Sequence, residues 1–191
     1  MNNNILSHDN LGLYFVSEDV DVCMARVLPN NPTEHHRKRF QYWKKTANFR
    51  TLIDIIDDSI YCYECIGSLR IVLHGNIDGT RATFGTTSVF SYNTDASIIT
   101  EANARVLFKK LMDEEDFCSK CEIYWMACMA GVGNIPQIIA DTTKCTVYAP
   151  LGKLEGVSAY RAENPLHAEV KDLNGNQLPQ NRAFKKFTPR R

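Results

Sequence analysis

A cysteine and a histidine each follow a short apolar run, and together they could supply a nucleophile and its base. Cys128 comes directly after the run Ile123–Ala127, and His74 comes directly after Leu69–Leu73. A thiol beside an imidazole is an activated nucleophile, because the thiolate attacks and the imidazole takes or balances its proton. The two residues are 54 positions apart, so only the fold can bring them together.

The elements around these residues predict how that happens. Each apolar run is typical of a strand buried on both faces, as in a parallel sheet. A helix predicted from Glu101 to about Met112, with Val106, Leu107 and Leu111 facing inward, provides the crossover between the two strands. If the strands are parallel neighbours, the histidine and the cysteine leave the sheet side by side at its carboxyl edge, where sites of open α/β folds lie.

The residues after the cysteine support a site at this edge. The small-residue stretch Met129–Gly133 lets the backbone turn tightly and approach a ligand. Asn134 can cap a short helix, and Thr146–Ala149 is a further strand. The unit is therefore strand, cysteine, turn, helix and strand.

These motifs resemble those of the caspase-like cysteine peptidases, which include caspases, clostripain and the self-processing domains of large bacterial toxins. The matching residues are IVLHG at Ile71–Gly75 and YWMACMAG at Tyr124–Gly131, and the resemblance covers roughly residues 50 to 150. It implies an α/β fold in three layers, with a mostly parallel central sheet of about six strands and helices on both faces. Many family members have an acidic residue before the cysteine, where this chain has Ala127, so the resemblance implies no cleavage specificity.

The resemblance also implies a mechanism and its residues. Cys128 would attack a peptide carbonyl to give an acyl-enzyme, and His74 would protonate the leaving amine. By resemblance, the backbone N–H groups of Gly75 and Cys128 form the oxyanion hole. We therefore expect a cysteine endopeptidase that acts on a protein or peptide without a catalytic metal, either as a free protease or as a self-processing effector or toxin module. Asp57 and Asp58 are unsupported candidates for a residue that orients the histidine.

Four other cysteines form two C-x-x-C pairs, Cys62–Cys65 and Cys118–Cys121. Each pair precedes one of the two site strands, so parallel pairing would place the pairs close together at the opposite end of the sheet. This spacing suits a tetrahedral structural zinc ion. The long gap between the pairs and the lack of the usual glycine or basic residues count against zinc and favour half-buried free thiols, and apart from this zinc we expect no cofactor.

Length and composition indicate one soluble domain. The chain has 191 residues, of which 44% are apolar and 23% charged. We expect a single domain over residues 1–191, with residues 151–191 forming a loop-rich segment that closes over the site. The 22 basic residues balance the 22 acidic ones, so no nucleic-acid partner is expected. The oligomeric state is left open.

The sequence also carries expectations about location. No apolar run approaches the roughly 18 residues that span a bilayer, and the first ten residues lack the basic and apolar regions of a signal peptide. Seven cysteines without such a peptide predict reduced thiols in a cytoplasmic compartment, with export by a signal-independent route as the alternative.

Two other functions fit parts of the chain. The basic stretch Thr33–Arg50 has apolar residues at Phe40, Trp43 and Ala47, which predicts a helix with one basic face. The chain could then be a non-catalytic α/β module that binds a partner or phosphates through this helix and the basic C-terminal segment. The turn Gly131-x-Gly133, with Glu155 as a distant ribose partner, is a weaker indication of nucleotide binding.

Overall fold

The computed structural model of the chain describes residues 11–17, 42–46, 52–53, 66–84, 98–114, 117–155 and 164–190. The strands are β1 Leu11–Ser17, β2 Tyr42–Thr46, β3 Ile66–Val72, β4 His74–Gly75, β5 Arg81–Thr83, β6 Ile98–Thr100, β7 Phe117–Met126, β8 Thr146–Pro150, β9 Lys153–Leu154, β10 Val170–Lys171 and β11 Phe184–Phe187. The helices are α1 Glu101–Glu114, α2 Ile135–Thr143 and α3 Gln180–Ala183, with a 3₁₀ turn at Pro165–His167.

One sheet organises these elements, with its described strands in the order β11-β8-β7-β3-β1-β2. Strands β8, β7, β3, β1 and β2 run parallel to their neighbours, and β11 is antiparallel to β8. The predicted α/β class and the mostly parallel sheet are therefore confirmed. The predicted pairing of the histidine and cysteine strands is also confirmed, because β3 and β7 are parallel neighbours.

The apolar runs become central strands because both of their faces are covered. Ile123 and Trp125 of β7 are completely buried in the main core cluster, and Phe108 of α1 packs edge-on against Trp125 with ring centroids 5.8 Å apart. Ile139 of α2 belongs to the same cluster. In the described part of the chain, the two long helices therefore contact each other and the same face of the sheet.

Helix α1 agrees with the prediction except for the orientation of Val106. Leu111 is completely buried and Leu107 is partly buried, as expected. Val106 was predicted to face inward, but it is 68% exposed. The buried stripe instead uses Ala104 and Phe108, which lie four residues apart and so share a face of the helix.

The predicted basic helix over Thr33–Arg50 is wrong where the structure describes it. Tyr42–Thr46 is strand β2, which pairs with β1 from Leu13↔Tyr42 to Ser17↔Thr46. Apolar residues at helical spacing give only a local preference, and hydrogen bonding to a neighbouring strand outweighs it. The rest of this stretch lies outside the described residues.

The expectation of reduced thiols is also wrong. Cys121 in β7 forms a disulfide with Cys145, the residue before β8, and both are buried. Glu122 pairs with Thr146 in the parallel ladder, so the residues one position earlier, Cys121 and Cys145, also lie side by side. Their Cα atoms are 4.9 Å apart. Cys118 is disulfide-bonded as well.

These disulfides bear directly on the zinc hypothesis. A disulfide sulfur is not the thiolate that zinc requires, so Cys118 and Cys121 offer no ligands in this oxidised state. Cys62 and Cys65 lie outside the described residues, and so does the predicted proximity of the two pairs. Within the described ranges, no cluster of His, Cys, Asp and Glu has the arrangement of a metal site.

The C-terminal segment is tied to the domain at several points. Strand β11, Phe184–Phe187, lies on the edge of the main sheet. Beyond it, the Arg190 side chain donates to Asp141 of α2 at 2.9 and 2.6 Å, and Gln137 of α2 donates to the Thr188 carbonyl at 3.0 Å. Of the helices in the described ranges, none combines the length and the apolar character that crossing a bilayer requires.

Candidate functional site

The register of two central strands brings His74 and Cys128 to the same edge of the sheet. Val72 of β3 pairs with Met126 of β7, and the Leu73 N–H donates to the Met126 carbonyl at 3.2 Å. Both site residues lie two positions beyond this last pair. Each is partly exposed, so a ligand from solvent can reach this edge.

The glycine after the histidine packs directly on the cysteine backbone. A Cβ atom at Gly75 would lie 2.6 Å from the Cys128 nitrogen and closer still to its carbonyl oxygen. No side chain fits in that space, because the neighbouring atoms are backbone and cannot move independently. Gly75 is therefore required for the close approach of the two segments that carry the predicted dyad.

The ladder between β4 and β5 determines the direction of the Gly75 N–H. His74 pairs with Thr83 and Gly75 with Ala82, and the Asn76 N–H donates to the Arg81 carbonyl at 3.3 Å. In an antiparallel ladder, hydrogen-bonded and non-hydrogen-bonded pairs alternate. Gly75 is therefore in a non-hydrogen-bonded pair, and its N–H points away from β5.

The cysteine amide is the other predicted oxyanion donor. The N–H groups of Ala127, Met129 and Ala130 each donate to a backbone carbonyl, whereas no backbone carbonyl of the described residues accepts the Cys128 N–H. Gly75 packs on the backbone of Cys128. The Gly75 N–H is not used by β5, and the Cys128 N–H is not used by a backbone carbonyl of the described residues.

The turn after the cysteine is fixed by hydrogen bonds to the end of β8 and the loop that follows. Met129 has a left-handed backbone, with φ 58°, which an L-residue seldom adopts. Its N–H donates to the Gly152 carbonyl at 2.8 Å, and the Gly131 N–H donates to the Pro150 carbonyl at 2.8 Å. The sequence predicted a small-residue turn here but gave no indication that Gly152 holds it.

The tip of the β4–β5 hairpin packs against the same turn. Gly79, between β4 and β5, packs so closely that a Cβ there would lie 2.6 Å from the Gly133 nitrogen. Hydrogen bonds to Asp78 order the tip, from the Thr80 hydroxyl at 2.6 Å and the Thr80 N–H at 3.0 Å. These bonds, the hydroxyl first, lower the pKa of Asp78. The hairpin formed by β4 and β5 is therefore fixed against this turn, and His74 lies in its first strand.

The C-terminal segment also reaches the cysteine. The Leu154 N–H of β9 donates to Cys128 Sγ at 3.4 Å, and Sγ lies 3.9 Å from the Leu154 carbonyl oxygen. Cys128 is the free thiol of the described residues. The backbone of Leu154 thus lies against the thiol, and the Gly152 carbonyl accepts the Met129 N–H in the turn that follows.

Other candidate residues are less favourably placed. A carboxylate already occupies the start of α2, because Glu101 Oε1 accepts the Asn134 N–H at 3.1 Å. An anionic phosphate would compete with it there, which counts against a nucleotide at Gly131-x-Gly133. Glu155, the suggested ribose partner, forms an ion pair with Lys171 at 3.1 Å. Asp57 and Asp58 lie outside the described residues.

Comparison with known proteins adds no relative to this picture. No protein-family model matches the chain, and no curated protein is significantly similar to it in sequence.

Proposed function

We propose that the protein is a cysteine endopeptidase that hydrolyses peptide bonds with a His74–Cys128 dyad. The observation that carries the proposal is the meeting of the two segments. His74 and Cys128 lie at equivalent positions beyond paired strands, and Gly75 packs on the Cys128 backbone. The proposal includes a caspase-like arrangement, with a second helical layer on the other face of the sheet.

In the proposed reaction, Cys128 Sγ attacks the substrate carbonyl carbon while His74 takes or holds the thiol proton. The carbon–nitrogen bond then breaks, and His74 gives the proton to the leaving amine. Water next attacks the resulting thioester, with His74 as the base, and releases the acid and the free thiol. The chain supplies both the nucleophile and the proton carrier for this sequence.

The oxyanion of each tetrahedral intermediate would bind to two main-chain donors. The Gly75 N–H points away from β5, and the Cys128 N–H makes no backbone hydrogen bond in the described residues. Preorganised donors of this kind stabilise the charge that develops in the transition state, and losing one typically costs about 10²–10³ in rate.

The disulfides bear on where this reaction takes place. Disulfides persist in oxidising compartments, whereas cytosolic thiols are normally kept reduced. The buried Cys121–Cys145 bond therefore favours the exported alternative over a cytoplasmic one. In such a compartment Cys128 would be a free thiol in an otherwise cross-linked scaffold.

A peptide library with blocked amines tests the proposal, since each cleavage creates one new amine that can be tagged and sequenced by mass spectrometry. We expect the wild-type protein to create new amines, and Cys128→Ala and His74→Ala each to abolish them. His167→Ala is the matched control, because His167 is an exposed histidine that contacts Asn164. Full cleavage by either dyad variant, or none by the wild type, would refute the dyad.

A non-catalytic binding module is the second candidate, and one surface favours it. A cavity of about 600 Å³ lies beside the turn that follows Cys128, and its lining includes Asp78, Gln137 and Lys185. With the basic helix contradicted at Tyr42–Thr46, such binding would depend on the C-terminal lysines. Binding of library peptides that survives Cys128→Ala but not Lys185→Ala, without any cleavage, would favour this candidate.

A further inference from the structure

The thiol of Cys128 is held by the main chain of a single residue. Leu154 donates its N–H to Sγ at 3.4 Å and offers its carbonyl oxygen at 3.9 Å, where the thiol can donate. Within the described residues, both hydrogen bonds of the sulfur go to Leu154, and neither goes to the imidazole of His74.

The ladder of the small β9–β10 hairpin explains why Leu154 faces the thiol. The Glu155 N–H donates to the Glu169 carbonyl at 2.9 Å, so this pair is hydrogen-bonded. Leu154 pairs with Val170 one step along, in a non-hydrogen-bonded position, and its N–H and carbonyl therefore point away from β10. The N–H and carbonyl of Leu154 therefore make no hydrogen bond to β10, and the Cys128 thiol lies against them.

We propose that Leu154 is a positioning residue that latches the resting thiol away from His74. This inference rests on the proposed function, because it takes His74 to be the base of Cys128. The sulfur must leave Leu154 before it can pair with the imidazole. An extended peptide that adds to the edge of β9 at Leu154 takes the N–H and carbonyl for its own backbone, and so releases the thiol as it binds.

A double-mutant comparison tests the latch. Leu154→Pro removes the N–H that holds Sγ but spares the bond from Glu155 to Glu169, because the lost donor does not take part in the ladder. Leu154→Ala is the matched control, since it shortens the side chain and keeps the N–H. The measurement is the rate constant for alkylation of Cys128 by iodoacetamide, followed by peptide mass spectrometry, with and without His74→Ala in each background.

If the latch is correct, His74→Ala changes the alkylation rate by less than roughly twofold in the wild-type and Leu154→Ala backgrounds. In the Leu154→Pro background, the same substitution lowers the rate by roughly fivefold or more, because the freed sulfur then reaches the imidazole. A rate loss from His74→Ala that is equally large in the wild type overturns the latch.

Cleavage of the blocked peptide library by His74→Ala distinguishes a failure of the latch from a failure of the proposed function. This measurement does not use Leu154→Pro, so it remains decisive if that variant does not fold. His74→Ala that abolishes cleavage yet leaves alkylation of the resting thiol unchanged supports the latch. His74→Ala that lowers both overturns the latch and leaves the dyad standing. His74→Ala that leaves cleavage intact overturns both.

Discussion

Removing the Cys121–Cys145 disulfide should destabilise the domain substantially. The bond closes a loop with a sequence separation of 24 residues, which contains Cys128, its turn and the whole of α2. The chain-entropy relation for a loop of this length gives about 3.4 kcal/mol of stabilisation, through restriction of the unfolded chain. For a protein of this size, that corresponds to a fall in Tm of roughly 7–14 °C.

Thermal unfolding of a Cys121→Ala/Cys145→Ala double variant, followed by circular dichroism, measures this loss. Alanine leaves no buried hydroxyl, and Cys128→Ala is the control, because it removes a free thiol without opening the disulfide. Peptide mapping without reductant should recover residues 121 and 145 as one linked pair in the wild type. An unchanged Tm, or recovery of the two cysteines as separate free thiols, would refute the reasoning.

Two further predictions concern the site and the C-terminal segment. Gly75→Ala should lower cleavage by roughly a hundredfold, because its Cβ would lie 2.6 Å from the Cys128 nitrogen. Gly175→Ala meets no atom within 4 Å but strains a left-handed backbone with φ 87°, so it should lower stability and spare the activity of the folded protein; an equal loss of activity in both variants would contradict this. Hydrogen bonds from Arg190 lower the pKa of Asp141 from 3.8 to about 2, so Arg190→Ala should lower the Tm above pH 4, and the difference from the wild type should shrink as the pH falls through 2. Melts across this range check it, and a Tm difference at pH 2 as large as that at pH 5 would contradict it.

The sequence predicted the sheet well where burial dictates the pattern. Uninterrupted apolar runs such as Ile123–Ala127 can be satisfied only by a strand covered on both faces, and this alone identified two of the central strands. Their parallel pairing followed from the intervening helix, because a crossover of that length returns the chain to the same direction. The shared edge of His74 and Cys128 was predictable for this reason.

Features that depend on contacts between distant segments were not predictable. Tyr42–Thr46 has a helical apolar spacing, and only the available edge of β1 makes it a strand. Gly79 and Gly152 gave no signal in the sequence, because their importance lies in the backbone atoms opposite them. The Cys121–Cys145 bond was not predictable either, because Cys121 lies two residues before the predicted strand Ile123–Ala127 and Cys145 lies one residue before Thr146–Ala149. Only the observed register, with Glu122 opposite Thr146, aligns them.

Trapping of the acyl-enzyme tests the central claim most directly. The protein is incubated briefly with the blocked peptide library, quenched in acid and digested, and the Cys128 peptide is examined by mass spectrometry. The account predicts a peptide acyl group in thioester linkage on Cys128 that hydroxylamine removes and that Cys128→Ala lacks. Turnover of the library with an unmodified Cys128 peptide, or an acyl group on another residue, would contradict it.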